Sequence, residues 1–401
     1  MSYVALKRDI KYNARMEKSD VKIREVITKL VFLLIFVILL VVLILLKTNS
    51  EICEAWTRGF ARYYETAIGS LFKWVPFSLT EVIIVLLVVI GIVLLVKSII
   101  AFVHKRPKEG ISKLLSIATM VIVIFGVYQA TAEMAYNREK NPVTVYEEKV
   151  DKTEFRKIID YFVEDCNKVT AEMQFDEEGE LICPYSLWEM NDLLAVEFDR
   201  LQEEYGDYFT PFTTRVKPMA SSFIYRELHI TGVTFMPTTE ANVNYLNVNA
   251  LKPTTAAHEI LHTKGVMKEE DADFIALYLM LTSKNSYFRY SGYYFSLSSL
   301  LTLANYTGVS TDYSEVINSI DINLRKNGYY GYNYWKKHNA FADFGNWIND
   351  IYLKLSGEKE GVNSYNDTPI DVDEKTEEVI TFSLYQKLYF RLYYEANPQV
   401  E

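Results

Sequence analysis

Lys29-Leu30-Val31-Phe32-Leu33-Leu34-Ile35-Phe36-Val37-Ile38-Leu39-Leu40-Val41-Val42-Leu43-Ile44-Leu45-Leu46-Lys47 decides the architecture. Seventeen apolar residues stand between two lysines. With its flanks, a helix of this length crosses a hydrocarbon layer of about 30 Å. Lipid offers the backbone no hydrogen-bond partner, so the segment must pair its own amides as a helix. A cleaved leader has a shorter apolar run and a small-x-small site after it; neither is present, which predicts a retained signal anchor. Two further runs follow. Val82–Val103 is broken only by Lys97 and Ser98, and Leu114–Ala132 is more mixed, with Thr119, Gly126, Tyr128 and Gln129. Each predicts a membrane helix.

The rest of the 401-residue chain is different in kind. Residues 1–132 carry 17 basic and 9 acidic side chains, whereas residues 133–401 carry 25 basic and 43 acidic. The mean hydropathy of zero averages two unlike parts and describes neither. A single soluble domain is excluded. Nucleic acid is a poor partner for the larger part, whose charge repels phosphate. Global disorder is excluded too, because 30 Tyr and 22 Phe can build a core.

Lysine and arginine set the orientation. Seven of them, from Lys7 to Arg24, precede the first run, and Lys105, Arg106 and Lys108 lie between the second and third. The longer loop between the first and second runs has only four. The expected division is a cytoplasmic basic tail (1–29), a three-helix transmembrane region (30–132) and an extracytoplasmic domain (133–401) of a multi-pass plasma-membrane protein.

Within that domain, Glu154–Val169 and Ser186–Tyr205 show apolar spacing near 3.6. Residues 230–248 alternate apolar and polar, the period of a half-buried strand. From residue 268 the pattern is helical almost to the end, with a Tyr/Phe-rich stretch at Tyr287–Tyr306 that reads as a core helix. The expected fold is α-rich α+β: three N-terminal transmembrane helices, then a mostly helical zincin-like domain with a small sheet and at least seven helices. Cys53, Cys166 and Cys183 form no CxxC pair, and Cys166 and Cys183 are either a disulfide or two buried thiols.

Two of the five histidines form His258-Glu259-Ile260-Leu261-His262, an HExxH motif. Residues four apart share a helix face, so both imidazoles can reach one Zn2+. Glu259 beside them suits a general base that takes a proton from the attacking water. Pro253 with Thr254 or Thr255 as N-cap opens the helix, and Gly265 closes it. A hydrolytic site needs a third ligand. The next segment, Lys268-Glu269-Glu270-Asp271-Ala272-Asp273, offers Glu269, with Glu270 and Asp271 as weaker alternatives. Asp273, one turn after Glu269, suits an acceptor that orients a ligand imidazole.

HExxH followed by Glu-x-x-Ala-Asp resembles the gluzincin class of zinc metallopeptidases. More specifically, the chain is similar to a bacterial family of polytopic membrane proteins known mainly as a domain of unknown function. Val75-Pro76-Phe77-Ser78, Gly232 through Asn244, Thr255 through Glu269, Ile351-Tyr352-Leu353-Lys354 and Gly361-Val362-Asn363-Ser364-Tyr365 carry the similarity. The family pattern more often has Glu at 271 and Asn at 273. The resemblance implies a membrane-anchored metallopeptidase and is silent on substrate.

In a strand over Thr239–Tyr245, Asn242 and Asn244 share one face. A strand beside the zinc helix can pair with an extended peptide, with these two amides orienting substrate carbonyls. The developing oxyanion needs a donor; Tyr365 fits best, ahead of His338, His229 and Arg226. The expected activity is zinc-dependent hydrolysis of peptide or protein substrates at the cell surface. The competing readings are a non-catalytic envelope scaffold or receptor with a structural zinc, and a cell-wall peptide amidase.

Overall fold

In the computed structural model, residues 3–139, 141–143, 154–305, 313–356 and 382–398 are described. Helix α1 (Tyr3–Leu46) leads into a connecting segment, α2 (Ser50–Trp56), a π turn (Thr57–Ala61) and α3 (Arg62–Phe72). Then come α4 (Leu79–Val103) and α5 (Pro107–Thr131). Among the described residues, three stretches are long and apolar enough to cross a membrane: Lys22–Leu46, α4 and α5. Their apolar side chains point outward, as lipid-facing surfaces do. Leu39, Leu86 and Val121 are each about half exposed. The fifth helix packs against both α1 and α4. Lys29 ties α1 to it by donating to the Ser112 and Ser116 hydroxyls at 2.8 and 2.9 Å.

The C-terminal part comprises α6 (Phe155–Ala171), α7 (Leu187–Tyr205), β1 (Lys217–Pro218), α8 (Ser222–Glu227), β2 (Gly232–Phe235), β3 (Glu240–Val243), α9 (Lys252–His262), α10 (Glu269–Leu281), α11 (Ser286–Leu301), α12 (Tyr313–Ser319), α13 (Ile322–Lys337), α14 (Ala342–Ser356) and α15 (Leu384–Ala396). A helical domain with a small sheet, behind three apolar helices, is the expected fold. The Ser186 capping box starts α7 where the spacing placed it. The aromatic α11 is core: Tyr287, Phe288, Tyr290 and Tyr293 are all buried. Rings of α6 and α15 close over it, with Phe162 and Tyr389 edge to face at 4.7 Å.

Two expectations need correction. Thr254 and Thr255 do not cap α9, which begins at Lys252 with no side-chain cap; the Thr254 hydroxyl instead bonds Ser291 at 2.7 Å. Of the two readings of Cys166 and Cys183, the free thiols hold, with Cys166 buried and Cys183 half-buried. The sheet order is β1-β3-β2, so β3 is the central strand, parallel to β1 and antiparallel to β2. Both its edges are used, and a peptide cannot add to it. The missed third strand, only two residues long, has no readable period.

The connecting segment and the C-terminal domain are one packed unit. Arg138, just beyond α5, forks onto Glu54 of α2 with two bonds of 2.9 Å and also donates to the Gly265 carbonyl. Glu240 of β3 is buried against Lys217 of β1 and accepts the Thr80 amide and hydroxyl, each at 2.7 Å. The sheet thus supplies the anion at the positive N-terminus of the second membrane helix.

Candidate metal centre

Helix α9 lies in the middle of the domain, with Ala256, Ala257, Ile260 and Leu261 fully buried. His258 and His262 are one turn apart on the face turned to α10. The chain reverses after α9 through Gly265, whose φ of +84° favours glycine. That turn brings the Val266 carbonyl back to His262 Nδ1 at 2.8 Å. It also delivers Glu269 as the first residue of α10 and Asp273 one turn later.

Each imidazole is therefore held by one nitrogen. His258 Nδ1 is 2.7 Å from Asp273 Oδ1, and Asp273 Oδ2 accepts the Tyr385 hydroxyl at 2.9 Å. A carbonyl only accepts, so His262 carries its proton on Nδ1; a carboxylate imposes the same on His258. Both Nε2 lone pairs then face a common point. They are 3.0 Å apart, and Glu269 Oε2 lies 3.1 Å from one and 3.7 Å from the other. Three lone pairs so arranged repel unless a cation or an added proton sits among them.

Donors 2.0–2.1 Å from a tetrahedral ion lie about 3.3 Å from each other, and the three separations bracket that value. The residues present thus fit a zinc-sized ion. Burial opposes charge on His258, yet Asp273 and Glu269 together hold its pKa well above the ordinary imidazole range. The pocket is built to keep positive charge. Glu270 is exposed, and Asp271 turns to Asn141 and is pushed up to about 6 by burial, so Glu269 is the carboxylate brought to the imidazoles.

Glu259 projects toward the sheet and is 6% exposed. The Thr234 hydroxyl of β2 lies 2.7 Å from its Oε2 and 2.8 Å from its backbone carbonyl, so its one proton is shared between the two oxygens. A Cβ on Gly232 would lie 2.5 Å from Glu259 Oε1, so only glycine leaves the carboxylate its place. Burial raises the Glu259 pKa, against the pull of both imidazoles and the Thr234 hydroxyl. A raised carboxylate suits a group that must take and return a proton.

The other expected site residues are placed differently. Asn242 is buried and donates to the Val233 and Glu240 carbonyls, both at 3.2 Å, while its Oδ1 has no partner among the described residues. Asn244 donates to the Ile230 carbonyl and accepts the Leu246 amide, each at 3.0 Å. His229 Nε2 donates to the His338 carbonyl at 2.8 Å, and His338 Nδ1 is 2.9 Å from Glu227, which also pairs with Arg226. Tyr365 lies outside the described residues. Sequence reasoning missed Thr234, Gly232 and Tyr385. Gly232 sat in a stretch already singled out, but Tyr385, 112 residues beyond its partner, left no local signal.

The chain matches, over residues 56–370, the model of the family described as "Protein of unknown function (DUF3810)", and belongs to it. No curated protein and no solved structure matches.

Proposed function

We propose that this member of the family is a membrane-anchored zinc metallopeptidase, with its C-terminal domain outside the cytoplasmic membrane and its N-terminus inside. One observation carries the reading: two imidazoles locked through Nδ1, with Nε2 atoms converging on the Glu269 carboxylate beside a separately held Glu259. His258, His262 and Glu269 would hold the ion. Bound there, zinc would lower the pKa of water toward about 7 and polarise the scissile carbonyl. Thr234 occupies Glu259 Oε2 and leaves Oε1 to take the proton of the attacking water. Glu259 then passes that proton to the leaving amine. Asp273, steadied by Tyr385, keeps the His258 ring in its ligating tautomer. The edge of β2 that no strand pairs with among the described residues, and which carries Gly232 and Thr234, offers an extended peptide backbone pairing next to Glu259.

A site kept only for stability has no use for a carboxylate positioned by both Thr234 and Gly232. The test is metal analysis of the purified full-length protein, with peptide profiling of wild-type and Glu259→Gln cells. One zinc per chain is expected in both proteins, with peptide products only in wild type. Zinc retained with identical product profiles would instead establish the scaffold reading.

A further inference from the structure

Helix α14 presents an apolar face that nothing in the described structure covers. Phe344, Trp347, Ile348 and Ile351 are 40–58% exposed. Their spacing of three and four puts them on one stripe. Asn346, Asn349 and Asp350 lie on the opposite side, while Gly345 and Leu353 are buried against the domain.

The position of this stripe identifies its occupant. Tyr352, next to it, is hydrogen-bonded to Tyr128 of α5, with ring centroids 6.1 Å apart. Tyr128 is three residues from the end of the third membrane helix, about 4.5 Å along its axis. The N-terminal end of α14 is joined to α8: the Phe341 amide donates to the Glu227 carbonyl at 3.1 Å. Helix α8 is in turn tied to α4, because the Ala220 and Ser221 amides bond the Glu81 carboxylate at 2.7 and 2.9 Å. Glu81 is the third residue of α4. The pair α8–α14 is therefore fastened to the ends of two membrane helices at the same level. The exposed residues of α8, Phe223 and Ile224, and those just before α4, Trp74 and Phe77, extend the same apolar belt.

We infer that α14 lies in the plane of the bilayer interface, with Phe344, Trp347, Ile348 and Ile351 in contact with lipid. Trp and Tyr are the residues favoured at headgroup level, and a helix with one aromatic-aliphatic face and one polar face is the form that lies on a membrane. Its net charge is slightly acidic, so burial of the apolar stripe, not attraction to anionic lipid, provides the affinity.

The test is collision accessibility of nitroxides on the full-length chain in lipid nanodiscs. Single cysteines would be placed at Phe344, Ile348, Ile351 and, as controls, Asn346 and Asp350. The background is Cys183→Ser, since Cys53 and Cys166 are buried. The oxygen-to-nickel accessibility ratio is expected to be several-fold higher at 344, 348 and 351 than at 346 and 350. Equal ratios on the two faces would overturn the inference by placing the stripe in water. Exclusion of both reagents from 348 would also overturn it, by showing a second copy or another protein segment on the stripe.

Discussion

Four of the five histidines fall into two pairs that the fold treats in opposite ways. His229 and His338 give ring nitrogens to the protein's own acceptors, the His338 carbonyl and Glu227. His258 and His262 also give up one nitrogen each, but aim the other at a shared point that a third donor, Glu269, completes. The difference is convergence. Paired imidazoles with separate protein partners are spent on the fold, whereas nitrogens and a carboxylate that meet at 3.0–3.7 Å form a group that could hold a metal ion.

The largest expected effect breaks this comparison directly. With zinc held as proposed, His258→Ala should lose it at micromolar concentration and abolish any hydrolysis, because two donors bind the ion far more weakly than three. His229→Ala should keep one zinc per chain and reduce stability by about 1 kcal/mol, the scale of a hydrogen bond lost at partly buried acceptors. Metal content by mass spectrometry and thermal unfolding in detergent check both. Equal zinc content in the two variants would remove the distinction between the pairs.

A smaller effect separates holding the ion from using it. In Gly232→Ala the new methyl meets Glu259 Oε1 and must push the carboxylate aside. Metal content should be unchanged, while peptide hydrolysis falls about 100-fold, the scale of a roughly 1 Å displacement of a reacting group. The measurement is turnover of a peptide substrate found by profiling, alongside bound zinc. Full activity would mean that the base has room to relax and that glycine stands there for another reason.

Much of this centre was legible because its parts are close in sequence. The imidazoles are four residues apart on one helix, and Glu269 and Asp273 follow across a single turn; the residues that tune them are distant. Thr234 and Gly232 reach Glu259 only because β2 folds back beside α9, and Tyr385 reaches Asp273 from the last helix. The membrane helices were legible for a different reason: lipid imposes an unbroken apolar run, which composition alone exposes. The sheet was half legible. Alternation marked β2 and β3, but strand order is not written in alternation, so β3 read as a free strand although Lys217 and Pro218 occupy its other edge. Asn242 and Asn244, polar in a strand, carry the same sequence signal whether they serve substrate or the sheet's own carbonyls.

The finest grading lies in the chain of bonds behind His258. Asp273 Oδ1 fixes the ring, and the Tyr385 hydroxyl fixes Asp273 through Oδ2. Asp273→Asn removes the charge and offers the ring a weaker acceptor, so zinc affinity should fall about 10- to 100-fold, the usual cost of losing such a partner. Tyr385→Phe removes one hydrogen bond a step further out, worth about 1 kcal/mol, and should lower affinity by no more than about fivefold. Competition against a chelator of known affinity reads both. The reverse order, with Tyr385→Phe the more damaging, would show that the tyrosine hydroxyl acts on the ion or its substrate directly. A null result for Asp273→Asn would place the orientation of His258 in the packing of α9 against α10 and not in the carboxylate.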